Sequence, residues 1–187
     1  MKKIIYSPGE PSGIGPDLII KLSSSKLWED MRIPILTVGD PKLFVARTAT
    51  LKKKVKILEL DSLDQVKKNI KGHLQIIKTS KCSNTKPGKL YKSNAQYVLD
   101  NLNYSIKQTM LNERTALVTG PLSKENIISI DKSFTGHTEF IKKVTKSKDV
   151  LMMLASDQLR VALSTTHIPL KNVSKKTHNV QSVHLKT

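Results

Sequence analysis

Two stretches hold the residues best suited to chemistry. One is Phe134-Thr135-Gly136-His137-Thr138-Glu139-Phe140, and the other is Thr165-Thr166-His167-Ile168-Pro169. Between them lie two apolar runs, 150–155 and 159–164, split by Ser156-Asp157-Gln158. If these runs pair as adjacent strands, His137 and His167 meet on one rim of a sheet, each beside threonine hydroxyls. A neutral imidazole is a good ligand for a divalent metal and a serviceable acid or base near pH 7. Taken singly, either histidine is as readily a surface or core residue. Gly136 marks a position where a side chain would obstruct a tight turn or a close ligand. Thr138, Glu139 and Phe140 read as the first turn of a helix reaching about Lys146, whose free N–H groups suit an anion. The plainer alternative is that Thr135 or Thr138 simply caps that helix.

The elements that must position these groups follow an alternating pattern. Lys3 to Tyr6 reads as a buried strand. The turn Gly9-Glu10-Pro11-Ser12-Gly13-Ile14-Gly15 follows it, and a helix opens at Pro16-Asp17, with proline in its first turn and an acid at its positive end. Strand, glycine turn, helix is the context of a phosphate cradle, but the spacing is neither G-x-G-x-x-G nor a P-loop, so the loop is expected to be scaffold. Strands are expected at Ile35 to Val38, near Val55 to Leu58, over the apolar run Leu74 to Ile77, and at Thr115 to Thr119, the last as a buried strand. Helices are expected from Pro41 to about Leu51, with Leu43, Phe44, Ala46 and Leu51 buried, and weakly from Leu63 to Ile70. A longer one runs from Asn94 to about Leu111, on the stripe Ala95, Val98, Leu99, Leu102, Ile106, Met110, with Ser93 as cap. A short helix at Leu122 to Ile130 carries Lys124, which either reaches a phosphate at the mouth of the preceding strand or faces water. Strands alternating with helices indicate an α/β architecture, and ligands in such sheets bind at the carboxyl ends of the strands.

Composition narrows the partners. A chain of 187 residues is long enough to bury roughly 70% of the surface its unfolded form exposes. Its hydrophobic content of 38% and aromatic content of 4% leave the core to Ile, Leu and Val. No run approaches the roughly 20 apolar residues of a membrane span, and the amino terminus is too short before Pro8 for a signal peptide, so a cytoplasmic protein with no membrane partner is expected. The single cysteine, Cys82, excludes an internal disulfide and a multi-cysteine metal site. The net charge of +17 invites nucleic acid. Its lysines are scattered in short groups such as Lys52-Lys53-Lys54 and Lys142-Lys143, which points instead to a solvated surface with some pull on anionic substrates and no nucleic-acid partner.

Several blocks in order then resemble one family. Ser7-Pro8-Gly9-Glu10-Pro11-Ser12-Gly13-Ile14-Gly15-Pro16-Asp17, Gly120-Pro121, the Phe134–Phe140 stretch, Val150-Leu151-Met152-Met153-Leu154-Ala155, Leu159-Arg160-Val161-Ala162 and Thr165 to Leu170 are similar to the 4-hydroxythreonine-4-phosphate dehydrogenases of vitamin B6 biosynthesis. The resemblance covers residues 1 to about 173, roughly the first half of such an enzyme, and sets 174–187 apart as a divergent polar tail. It implies an isocitrate/isopropylmalate dehydrogenase-like open sheet with flanking helices, incomplete at the C-terminus. The activity implied is NAD(P)-dependent oxidation and decarboxylation of 4-phosphohydroxy-L-threonine to 3-amino-2-oxopropyl phosphate, using NAD or NADP and a divalent metal (Zn, Mg or Co). By motif, His137 and Thr138 correspond to substrate-binding positions and His167 to one metal ligand. A homodimer is implied as well. The remaining ligands would lie in the half not spanned, so the chain alone is expected to be weakly active or inactive, and a non-enzymatic phosphate-binding or interaction remnant is the alternative. His178 and His184 match no ligand spacing and read as solvated residues of the tail.

Overall fold

Each apolar run that ends in a breaker and leads into a helix becomes one unit of a parallel sheet. The computed structural model describes residues 2–166 and 168–177, and divides the chain into two compact units, 1–146 and 147–187. In the first unit the strands are β1 (Lys3–Ser7), β2 (Ile35–Val38), β3 (Lys56–Leu60), β4 (His73–Ile77) and β5 (Thr115–Thr119), all parallel, in the order β3-β4-β2-β1-β5. The helices are α1 (Gly15–Ser23), α2 (Lys26–Asp30), α3 (Pro41–Thr50), α4 (Ala95–Leu111), α5 (Lys124–Ile128) and α6 (His137–Thr145). Side chains alternate across the sheet, as period-2 geometry demands. Ile35, Leu74 and Ile76 pack into one cluster with Ile19, Ile20, Trp28 and Phe44 of α1 to α3. Ile5, Leu36, Val38 and Ile77 pack into another with Leu63 and Val66, and Tyr104 of α4 lies against it.

Several elements depart from expectation for identifiable reasons. The stretch from Leu63 holds only a 3-10 turn, Leu63–Gln65, because Gln75 draws its side chain to the backbone of Lys67 through two bonds of 2.8 Å and fixes that segment extended. On α3, Ala46 is exposed and Arg47 is buried, since Arg47 donates to the Asp17 carboxylate at 2.9 Å and to the Pro11 carbonyl at 2.6 Å. Ser93 does not cap α4; it lies in a 3-10 turn, Lys92–Asn94, that leads into the helix. Met110 at the far end of α4 is 54% exposed. Most consequential is β5, which is a strand as expected but not a buried one. It forms an edge of the sheet, with Val118 exposed.

In the second unit, β6 (Met152–Ala155) and β7 (Arg160–Leu163) form an antiparallel hairpin, and α7 spans Val173–Thr177. Four residues connect the strands rather than three, closed by Ser156 N–H donating to the Leu159 carbonyl at 2.8 Å.

Glycine fixes how the carboxyl ends of β1 and β5 meet. A Cβ at Gly15 would overlap the Pro8 carbonyl, one at Gly120 would overlap it from the other side, and one at Gly9 would overlap the Pro121 carbonyl. Gly88 differs, with a positive φ of +77° and open space around it. The substitution Gly15→Ala should therefore cost about 2 kcal/mol or more, as forced overpacking does. Gly88→Ala should cost about 1 kcal/mol, from backbone conformation alone. Urea unfolding of the two variants checks the order, and equal losses would contradict it.

Candidate functional site

The loop after β1 is clamped from four directions. Tyr6 donates its hydroxyl to the Gly15 carbonyl at 3.0 Å, Glu10 N–H donates to the Pro121 carbonyl at 3.0 Å, Arg47 holds the Pro11 carbonyl, and Gly88 N–H donates to the Ser12 carbonyl at 2.9 Å. Its glycines are filled against protein backbone rather than left open as a cradle, which agrees with a scaffold role. Glu10 is 4% exposed, and a buried carboxylate needs partners. One of its oxygens accepts from Ser12 N–H at 3.1 Å and the other from the Asn126 side-chain amide at 3.3 Å. Asn126 also donates to the Tyr91 carbonyl at 3.0 Å, so it ties α5 to the first loop and to the segment before α4. Ser123 caps α5 by accepting from Asn126 N–H at 3.2 Å.

Lys124, one residue past that cap, is thereby aimed at the next loop. Its Cε and Nζ lie 3.4 and 3.5 Å from where a Cβ on Gly136 would stand, and Glu139 Oε2 lies 3.5 Å from the same point. Gly136 has φ +151° and forms the N-cap of α6, so neither Thr135 nor Thr138 caps the helix. Being a glycine, it supplies no capping side chain, and the first-turn N–H groups of α6 have no acceptor within the helix. Phe134, buried at 3% exposure, and Phe140 pack with ring centroids 5.7 Å apart, anchoring the turn to the core.

His137 opens α6 and is partly buried, with Thr138 partly buried beside it. Burial, the largest cause, lowers the imidazole pKa from its ordinary 6.5; the Gly120 backbone opposes it, and the neighbouring Lys124 charge lowers it further. The lowered pKa favours the neutral ring at pH 7, and a neutral imidazole keeps a lone pair on one nitrogen. His137, Thr138 and Lys124 are thus brought together at the carboxyl end of β5, where a parallel sheet places its ligands. The sequence reading treated the first loop only as scaffold and so missed Glu10 and Asn126; a buried acid between two prolines was the available signal.

Among the described residues no group of three or more His, Cys, Asp or Glu side chains stands close enough to share a metal ion, so they do not fit a metal site by themselves. His167, the expected metal ligand, lies outside the described residues, as do His178 and His184. Cys82 is no substitute ligand. Burial, together with the charges of Asp40 and Glu10, pushes its thiol up to about 12, which leaves it protonated and inert. No helix among the described residues is long and apolar enough to cross a membrane.

Because the folded-state pKa of His137 is depressed, the stability it contributes is fully present above pH 6.5 and is lost as pH falls through the lowered native value. Urea titrations from about pH 7.5 to 5 should show a shallower acid loss in His137→Asn, which removes the titrating ring, than in the parent chain. Identical slopes would contradict a neutral buried imidazole.

Comparison with known proteins gives the family. The family described as pyridoxal phosphate biosynthetic protein PdxA matches residues 30–185. Proteins named 4-hydroxythreonine-4-phosphate dehydrogenase are similar over most of this chain. The one from Citrobacter koseri is 36% identical over 174 residues, 93% of this chain and 52% of its own, and the one from Shewanella frigidimarina is 37% identical over the same shares. Solved structures of 4-hydroxythreonine-4-phosphate dehydrogenases from Burkholderia phymatum and Klebsiella pneumoniae share the fold. Their TM-scores are both 0.83 and their identities 22% and 24%; each match covers 94% of this chain and 53% or 54% of the other. The chain spans about half the length of the curated relatives it matches. The match to the family runs across most of the sequence, and the protein belongs to the pyridoxal phosphate biosynthetic protein PdxA family.

Proposed function

We propose that this chain supplies part of the substrate site of an NAD(P)-dependent 4-hydroxythreonine-4-phosphate dehydrogenase. That enzyme oxidises and decarboxylates 4-phosphohydroxy-L-threonine to 3-amino-2-oxopropyl phosphate in vitamin B6 biosynthesis. The observation that carries this reading is His137, partly buried at the start of α6 with its pKa lowered, and Lys124 against Gly136. The free lone pair of His137 accepts a hydrogen bond from the substrate's hydroxyl or ammonium group. Thr138 adds a hydroxyl, while the Lys124 charge and the open N–H groups of α6 draw the phosphate. These groups bind and orient the substrate; none of them moves a hydride.

A divalent metal (Zn, Mg or Co), with His167 proposed as one of its ligands, would lower the pKa of the substrate hydroxyl and stabilise the enolate formed as carbon dioxide leaves. The same proposal takes the isocitrate/isopropylmalate dehydrogenase-like sheet as the finer description of the fold. It also takes residues 1–173 as the N-terminal portion of the enzyme, the homodimer as its assembly and the cytoplasm as its place.

The second reading, a phosphate-binding module without turnover, draws on the same Lys124 and α6. Calorimetric titration with inorganic phosphate and with 4-phosphohydroxy-L-threonine, alongside NAD(P) reduction assays with added metal, separates the two. The substrate should bind more tightly than phosphate, and His137→Ala should weaken it by about tenfold or more, roughly 1.4 kcal/mol. Turnover by the chain alone should be little or none. Tighter binding of phosphate than of substrate favours the second reading, and undetectable binding of both removes each.

A further inference from the structure

The helix that carries Lys124 cannot fix its own direction. α5 spans five residues, Lys124–Ile128, and a helix little longer than one turn is marginal without tertiary anchors. Two buried side chains anchor it, and they constrain different things. Ile127, at 0% exposure, sits in the core cluster that also holds Phe134. Apolar burial sets how deep the helix lies but is non-directional, so it resists small rotations about the axis only weakly. Asn126, at 4% exposure, makes directed bonds instead.

The Asn126 amide is committed to two separate segments. It donates to Glu10 Oε2 at 3.3 Å and to the Tyr91 carbonyl at 3.0 Å, while its backbone N–H donates to the Ser123 hydroxyl at 3.2 Å. Glu10 is itself held, by Ser12 N–H on its other oxygen and through its own N–H on the Pro121 carbonyl. Bonds from one amide to two fixed points define a rotation, which a single bond would leave free. Residues two apart on a helix point about 200° from one another, so Asn126 turns inward where Lys124 turns out to solvent. A side chain reaches roughly 6 Å from a helix axis, so a turn of about 30° moves its tip by about 3 Å, the length of a hydrogen bond. Among the described residues the one ion pair is Arg47–Asp17, so no carboxylate steadies Lys124 against such a turn.

We propose that Asn126 is a positioning residue for the substrate site: its amide, spanned between Glu10 and Tyr91, sets the rotation of α5 and so holds Lys124 against Gly136 at the start of α6. Asn126 acts through Lys124 and not on the ligand. Its value to binding rests on the reading in which Lys124 and α6 draw a phosphate, whereas the placement of Lys124 can be measured with no ligand present.

The test uses the full 187-residue chain, with the His137 imidazole as reporter of the Lys124 charge, which lowers its pKa. Proton NMR against pH follows that ring, identified by its absence from His137→Asn. Lys124→Met should raise the His137 pKa. Asn126→Ala should raise it too, as should Glu10→Gln, which offers one oxygen where Ser12 N–H and the Asn126 amide now have two. Neither should raise it further in the Lys124→Met background. Calorimetry with inorganic phosphate should show binding weakened about fivefold or more by Asn126→Ala in the parent chain, and by less than about twofold once Lys124 is gone. Urea unfolding identifies a variant that does not fold, and the other of the two then carries the cycle. A His137 pKa unmoved by both substitutions overturns the proposal. So does a rise of equal size with and without Lys124, because Asn126 then acts through burial alone. Should the parent chain bind no phosphate, the substrate-site reading fails and the pKa cycle still decides the role of Asn126.

Discussion

The backbone of the first loop lies in direct contact with the backbone that follows β5, and the rest of the site depends on that approach. Pro8 and Pro121 offer their carbonyls to Gly15, Gly120 and Gly9 at separations no side chain would tolerate. Close contact at the carboxyl ends of β1 and β5 brings Glu10 within reach of Asn126. That bond orients α5, α5 carries Lys124 to Gly136, and the Lys124 charge adds to the burial that lowers the His137 pKa. A chain of short, ordinary interactions thus links a glycine pattern at residues 9–15 to the surroundings of an imidazole more than a hundred residues later. No single bond in it is strong; a neutral hydrogen bond contributes only about 1 kcal/mol net. What makes the arrangement firm is that the buried Glu10 carboxylate and Asn126 amide are both paired, and leaving either unpaired costs more than the bond gains.

Periodicity made most of the fold legible. The strands at Ile35 to Val38 and Thr115 to Thr119 and the helix ending at Leu111 fall where apolar spacing and breakers put them. Spacing is blind to what lies across the sheet, and there it failed. Ala46 was expected on the buried face of α3, but Arg47 is buried instead because Asp17 and the Pro11 carbonyl pair its guanidinium. Leu63 to Ile70 looked weakly helical because local propensity cannot foresee Gln75 holding Lys67 extended. At the site, the fragment Gly136-His137-Thr138 announced itself by residue type. Glu10 and Asn126 did not, because their importance lies in a contact spanning 116 residues of sequence. His167 lies outside the described residues.

The reading of β5 illustrates a different kind of information. From sequence it is a buried strand, and the error in that expectation is instructive. Val118 and Leu117 are apolar on opposite faces because both faces of an interior parallel strand are covered. Sequence records the environment for which a residue is suited, and structure records the environment this chain provides. For β3 the two agree: its alternation of charge and aliphatic side chains suits an edge, and an edge is where it lies. For β5 they disagree.

That disagreement has a counterpart in the candidate site. The site holds groups suited to an anion and a hydroxyl, yet the described residues do not supply the donors for a metal. β5 has the composition of an interior strand, yet among the described residues no strand pairs with its outer side. In a parallel sheet each strand arrives with the loop at its carboxyl end, so an open strand edge and a short donor set are the same observation made twice. The glycine contact matters here beyond stability: because β1 and β5 meet at their carboxyl ends through Gly9, Gly15 and Gly120, the loop that holds Glu10 is set against the helix that carries Asn126 and Lys124.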